Sequence, residues 1–393
     1  MPPVSTVFAQ LLQLFSRGEF ERAVAAKNAE RNAKGFACWD QFVAMLYCQL
    51  GHLSSLREVC LGLGSCESPL KQLGIGTVPN KSTLAYANRT RPWQVYETVF
   101  HQLLGKCQAE VAARGGRKKF RFKNKLMSLD GSIIDLSATM FDWAKYRTRK
   151  GGIKLHVLLD HDGYLPSFAV VTEGKRSELE IARSLRLEPG TILVVDRGYN
   201  DYRWFADLTR EGVYFVTRMK TSTVYTVEDD CEVPAKGNVL RDQIVSLPAL
   251  AEGGQEPMRF RRVEFWNEDK QEILVFFTNL LHLAASTIAA IYKDRWRVEL
   301  FFKALKQTLK VKTFLGTSAN AVKTQIWTAL IAMLILKYLQ MKSTFGWSLS
   351  TVAALLRQQL FTFRDLWTWL NQPMSGLPAA RKRSEQLPMP IIW

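Results

Sequence analysis

The chain has 393 residues, 47% of them hydrophobic, which suits one large or two to three ordinary domains and excludes a disordered protein. Lys and Arg number 53 against 36 Asp and Glu, a formal net charge of +17 that points to a polyanionic partner, nucleic acid first, beside the plainer reading of solubility. Six Cys without any C-x-x-C spacing signal no zinc site, and the N-terminal stretch lacks the basic and apolar regions of a secretory signal, so the thiols read as reduced in a cytoplasmic protein.

To about Arg114 the apolar residues recur three and four apart, as in WDQFVAMLYCQLGHLSSLREVCLGLG, and predict helices. VPNKSTLAYANRTRPWQVYETVFHQLL adds a Pro-Asn turn, a cap at Asn80 or Ser82, and two short helices broken before Pro92. Basic and small polar residues at such helix starts suit a helix-turn-helix-like DNA contact, and equally a plain bundle. RGGRKKFRFKNK (114–125) reads as a basic linker, either solvated or touching phosphates.

The period then changes. LMSLDGSIIDLS predicts a strand, KYRTRKGG a basic loop, and IKLHVLLD and YLPSFAVVT two more strands joined tightly at His161-Asp162-Gly163. SELEIARSLRL reads as a short helix, TILVVD as a buried parallel strand, NDYRWFADLTREG as a helix and VYFVTRM as a strand. The pattern is an α/β fold, a mixed sheet with helices on its faces. From about Lys220 to Glu272, STVYTVEDD and MRFRRVEFWNED indicate an inserted β-rich subdomain. EILVFFTNL resumes the core as a strand, Ser286 is the expected cap of the next helix, and TQIWTALIAMLILKYL and STVAALLRQQL continue as helices. The most apolar run, Ile326 to Leu336, falls short of the ~20 residues of a membrane span. It reads as a buried core helix, and no membrane is expected as a partner. The tail AARKRSEQLPMPIIW looks irregular. The expected divisions are 1–115 (helical, DNA-binding), 116–219 and 272–345 (two parts of the α/β core), 220–271 (β-rich insertion) and 346–393 (helical region and tail).

Asp130 lies in the first core strand and Asp196 ends the apolar strand TILVVD; each is either a turn or cap residue or a ligand fixed on a rigid sheet edge. YKDRWRVELFFKALK (292–306) sharpens the choice. At ~100° per residue, Tyr292, Arg295, Glu299, Lys303 and Lys306 share one arc of roughly 80°. Ile291, Val298, Phe301, Phe302 and Leu305 take the adjacent core face. A surface pair of Glu299 with Lys303 explains those two residues, but not the surrounding cations and Tyr. Trp296, at the margin of the arc, reads as core by its size.

Tyr292, Arg295, Glu299 and Lys306 match Y-x2-R-x3-E-x6-K, a signature of the bacterial insertion-sequence transposases of the IS-four family. Asp130 in a DGS strand and Asp196 in VVDRGY resemble that family's first and second catalytic Asp. The long interval to Glu299 fits the β-rich subdomain that the family inserts there. The resemblance covers roughly Leu126 to Tyr338, and more loosely the helical N-terminal region. It departs from the family after the third strand, where TEGKRSELE stands in place of a His-Asp step; Glu178 and Glu180 receive no role.

The resemblance implies a ribonuclease H-like core interrupted by the β-rich insertion, and a site in which Asp130, Asp196 and Glu299 hold two Mg²⁺, with Mn²⁺ as a substitute. Carboxylate oxygens suit such hard cations, and two metals serve both the attacking and leaving oxygens of phosphodiester cleavage. It implies phosphate contacts from Tyr292, Arg295 and Lys306, and less directly from Lys303, Arg197, Tyr199 and Asn200. Trp266 is either a core residue of the insertion or a stacking platform for an unpaired base. The implied activity is cut-and-paste DNA transposition on double-stranded element ends and target, by a homodimer holding two ends. A DNA-binding protein without catalysis and a nuclease without strand transfer are the alternatives.

Overall fold

Among the described residues, runs of β-branched and aromatic residues between turn signals form ten strands in one sheet. The computed structural model describes residues 5–373 apart from 32, 34, 67–69, 116–118, 137–144, 147–149, 175, 234, 236, 251–256 and 310–313. Among these, the strands are β1 (Leu126–Leu136), β2 (Lys145–Tyr146), β3 (Lys150–Asp160), β4 (Leu165–Glu173), β5 (Ile192–Val195), β6 (Tyr214–Arg218), β7 (Thr226–Asp230), β8 (Val239–Ser246), β9 (Arg259–Asn267) and β10 (Glu272–Thr278). The helices are α1 (Val7–Leu12), α2 (Arg17–Ala26), α3 (Cys38–Gly51), α4 (Leu56–Gly64), α5 (Lys81–Thr90), α6 (Gln94–Ala113), α7 (Glu178–Ser184), α8 (Tyr202–Arg210), α9 (Ala285–Asp294), α10 (Trp296–Thr308), α11 (Ala319–Lys342), α12 (Leu349–Gln359) and α13 (Leu366–Asn371).

The heart of the sheet runs β4-β3-β1-β5-β6. β3 is antiparallel to both β1 and β4, whereas β5 is parallel to both β1 and β6. Of these five, the third, second, first, fourth and fifth strands in the chain stand side by side, with the second reversed. That is the ribonuclease H-like arrangement the sequence led one to expect. All four residues of β5 are buried, as a strand between parallel neighbours and under both helical layers requires. β10 joins β6 antiparallel and carries β9, β8 and β7 outward, so the segment after Lys220 extends the same sheet.

Two apolar layers cover the two faces around β5. Met127, Leu129, Leu193 and Val195 pack with Trp204 and Phe205 of α8 on one. Leu126, Ile192 and Val194 pack with Ile288, Ala289 and Ile291 of α9 on the other. A third core joins α1 to α6 with α11, α12, α13 and the outer part of β1 and β3. α11 is long and apolar enough to cross a membrane by composition, yet 83% of its most apolar window is buried in this core, where it packs on α3, α5 and α6. The start of α1 meets the segment after α12: the Val7 and Phe8 N–H groups donate to the carbonyls of Thr362 and Leu360.

Local expectations fare unevenly. Asn80 caps α5, its Oδ1 accepting the Thr83 N–H at 2.8 Å. α6 is not short: past Pro92 nothing interrupts it for 20 residues. The β3–β4 turn places Gly163 at φ 80° and Tyr164 at φ 52°. Ser286 does not cap α9; the cap is Ala284, whose carbonyl receives the Thr287 and Ile288 N–H groups while its side chain gives none. Most of KYRTRKGG and all of AARKRSEQLPMPIIW lie outside the described residues or their described side chains.

Arg261 of β9 ties the outer strands to the rest. Its guanidinium meets both carboxylate oxygens of Asp242 on β8, at 2.7 and 2.6 Å, and its other arm donates to the carbonyls of Leu280, Leu281 and Leu283. Both side chains are buried, so truncating one leaves an unpaired charge. Arg261→Ala is expected to cost about 3–5 kcal/mol in urea unfolding. Arg241→Ala, which removes an exposed partner of Glu264, should cost under about 1 kcal/mol.

Candidate active site

Strand register builds the site. β1 and β5 run parallel with Leu129 beside Val195, so the next step sets Asp130 beside Asp196, about 5 Å away at the Cα atoms, where β5 ends. Side chains alternate along β1. Leu129 faces the α8 layer, whereas Ser128, Asp130 and Ser132 face the side where α9 and α10 lie.

Polar contacts at two points register those helices on β1. At one, Ser128 Oγ is 2.7 Å from His161 Nε2, and His161 Nδ1 is 2.7 Å from Asp294 Oδ2. At the other, Lys306 Nζ donates to Ser132 Oγ and to the Ile133 carbonyl, both at 2.8 Å. Between these anchors lie Arg295 and Glu299, and the charges of both act on Asp130. Asp294 is 3% exposed and also receives Lys119 Nζ at 2.6 Å and the Tyr164 hydroxyl at 3.4 Å. Burial pushes its carboxyl up, but the hydrogen bonds from His161 and Lys119 outweigh that and hold it at about 2.

YKDRWRVELFFKALK is two helices, not one. α9 ends at Asp294 and α10 starts at Trp296. Between them Arg295 donates its N–H to Tyr292 and receives the Val298 N–H, a tight turn of i→i+3 bonds. The break turns Trp296 into solvent at 54% exposure, which overturns its reading as a core residue. It also re-pairs Glu299: Oε1 takes Arg295 Nη2 at 2.6 Å, with Arg295 only 11% exposed, rather than meeting Lys303 on the surface. Tyr292 packs its ring on Phe276 at 5.1 Å with the Arg295 guanidinium over it at 5.5 Å. Burial pushes its phenol up, and Asp196 adds to that.

Burial also pushes Asp130 up, to about 6, against the Gly131 N–H and Arg295, with Glu299 and Glu178 reinforcing the rise. Asp196 caps the short turn Arg197–Tyr199, its Oδ1 accepting the Arg197 N–H at 2.5 Å. Arg197 and Lys303 are exposed, free to reach a bound strand. Tyr199 and Asn200 are buried instead. Asn200 spends its amide on the Arg218 carbonyl and the Thr217 hydroxyl, so the expected surface contact with DNA does not fit it. Trp266 is half-buried on β9, opposite Ile273 near the β9–β10 turn. That turn projects from the sheet edge on which Asp196 lies, since β10 runs back from it past Arg218. Sequence reasoning missed Asp294 and His161. Only the Asp-Arg step before the signature helix hinted at the first.

The donor set fits divalent cations. Its oxygens are carboxylate, like charges crowd Asp130, and the buried Tyr199 Oη has no hydrogen-bond partner. Among the described residues no three acidic, His or Cys side chains already stand at metal-holding spacing. Arg295 holds Glu299, and Lys154 Nζ holds Glu178 at 3.0 Å.

Strand order and the paired Asp at its switch from antiparallel to parallel define a ribonuclease H-like nucleic-acid enzyme. Residues 122–335 match the family model described as a transposase DDE domain, and residues 4–76 match a domain of unknown function. The chain is 30% identical to a putative transposase, y4zB, of Sinorhizobium fredii over 77% of its own length and 83% of the relative's. It is 29% identical to a probable transposase for insertion sequence element IS5377 of Geobacillus stearothermophilus, over 70% of its own length and 72% of the relative's. A cryo-EM structure of a piggyBac transposase synaptic complex with hairpin DNA aligns with 98% of the chain and 87% of its own at TM-score 0.46 and 11% identity, too distant to add to the strand order. The chain belongs to the DDE transposases. It is therefore a DNA-binding enzyme of metal-dependent DNA cleavage and strand transfer.

Asp294 gives a pH signature. Its folded pKa, about 2, lies below the ordinary value of 3.8, so its contribution is present above the latter and lost as pH falls through the former. The shift corresponds to up to about 2 kcal/mol. Asp294→Asn is expected to lower the Tm at pH 7, and the gap from wild type should narrow between about pH 4 and pH 2.

Proposed function

We propose that this chain is a cut-and-paste transposase of the IS-four kind that binds the terminal inverted repeats of its own element. Asp130, Asp196 and Glu299 hold two Mg²⁺, with Mn²⁺ as a substitute, and the active form is a homodimer pairing two element ends in the cytoplasm. The observation that carries this reading is the register: Asp130 beside Asp196 at the end of β5, with Glu299 laid over the same face of β1 by the anchored α9–α10 pair.

Bound Mg²⁺ supplies the Lewis acidity that activates the attacking water and stabilises the leaving 3′ oxygen. The chain's residues do the rest. Glu299 would hold metal in place of Arg295, and the guanidinium, with Tyr292 beside it, would then take a phosphate of the cleaved strand. Lys306 keeps β1 and α10 in step through Ser132, and reaches phosphate only by releasing it. Arg197 and Lys303 contact the backbone farther out. The exposed Trp296, like Trp266, offers aromatic surface near the site.

Recognition of the ends falls to α5. Its exposed side carries Lys81, Ser82, Ala85, Tyr86 and Arg89, no acidic residue lies on it, and Arg57 of α4 borders the same groove as Lys81. Ten residues with a basic, small-residue face fit a major groove.

Purified protein, end DNA and Mg²⁺ should yield nicked and joined products. Asp196→Ala should abolish both, by at least about a hundredfold, while leaving DNA binding intact. Binding without cleavage by the wild type would favour an inactive end-binding protein, and cleavage without joining a plain nuclease. Arg89→Ala should weaken end binding in a gel-shift assay without changing cleavage at saturating protein.

A further inference from the structure

Glu178 opens α7 as the chain leaves β4, and it looks like an ordinary acidic residue in a first helical turn. Its carboxylate does not behave as one. Oε1 lies 3.2 Å from where a Cβ on Gly131 would stand, and Oε2 lies 4.0 Å from the same point on Gly198. Gly131 follows Asp130, and Gly198 is the second residue after Asp196. The carboxylate therefore occupies the gap beyond the end of β5, between the two segments that carry the Asp pair, and reaches it from the α8 side of the sheet.

That gap is built for a polar occupant. His156, paired across from Gly131 on β3, is wholly buried. Its Nε2 meets the Thr172 hydroxyl at 3.0 Å, while its Nδ1, also 3.2 Å from the Gly131 point, has no partner. The Tyr199 hydroxyl, on a side chain 1% exposed, has none either, and the charges of Glu178, Asp130 and Asp196 all bear on it. Glu180, two residues on, is the contrast: exposed, it pairs with Arg176 on the same surface.

We infer that Glu178 is a fourth carboxylate of the metal site, and that Lys154 is the cation it gives up when a divalent ion enters. The inference rests on the reading that Asp130, Asp196 and Glu299 hold divalent metal. Lys154 then does for Glu178 what Arg295 does for Glu299: each internal cation balances a carboxylate of the metal-free site. Gly131 is part of the device, because any side chain there would meet Glu178, His156 and the Lys154 stem at once, at 3.2–3.3 Å.

The test is a Mn²⁺ titration of the metal-free full-length protein, with free Mn²⁺ read by electron paramagnetic resonance and folding checked by circular dichroism. Glu178→Gln should weaken at least one Mn²⁺ site by roughly ten- to a hundredfold, whereas Glu180→Gln should bind as wild type does. Gly131→Ala, which keeps Glu178 but fills its gap, should show the same loss. Wild-type affinity in Glu178→Gln or Gly131→Ala, with binding lost in Asp196→Asn, overturns the role of Glu178 and leaves the three-carboxylate site standing. Wild-type affinity in Asp196→Asn as well overturns both.

Discussion

A single buried carboxylate, Asp294, sets the geometry on which the site depends. It gathers Lys119 from the basic linker, His161 and Tyr164 from the β3–β4 turn and, through His161, Ser128 of β1. A buried ion held by several donors is costly to break, because any partner removed leaves charge behind. The node pins the end of α9 to β1 two residues before Asp130. With Lys306 pinned to Ser132 at the far end, the helix between can lie only one way. The tight turn at Arg295 follows, and it is this turn that brings Arg295 and Glu299 inward and sends Trp296 out.

The site then becomes a problem of charge balance. The charges of Glu299 on α10 and Glu178 on α7 both act on Asp130 of β1, in a chain of net charge +17. Glu299 and Glu178 each pair with a cation, Arg295 and Lys154, and burial pushes the Asp130 carboxyl up to about 6. On the proposed reading, metal entry would exchange these ion pairs for divalent cations. The Arg295 guanidinium would then be free for a phosphate, so that one ion pair would serve both states.

Much of this was legible in the chain. β5 announced itself as an unbroken apolar run with Asp196 at its end, and alternating helices and strands marked a mixed sheet with helices on its faces. The spacing of Tyr292, Arg295, Glu299 and Lys306 marked the helix that faces β1. What stayed hidden depended on contacts across the fold. A helical wheel assumes a continuous helix, so it could not show the break that exposes Trp296 and re-pairs Glu299. Asp294 and His161 are 133 residues apart and carry no local signal of their meeting. Glu178 looked like any acid at a helix start, and Asn200 like a surface neighbour of Asp196, until burial and partners separated them. The outer strands were read as β-rich, but periodicity alone could not reveal that they lengthen the central sheet through β10.

The most direct measurement is a crystal structure of the protein with Mn²⁺ and a cleaved element end, with the ions located by anomalous scattering. The geometry described here predicts Mn²⁺ between Asp130 and Asp196 and beside Glu299, with Arg295 turned from Glu299 onto a phosphate. Mn²⁺ bound away from Asp130 and Asp196, or Arg295 still paired to Glu299 with metal and DNA in place, would contradict it.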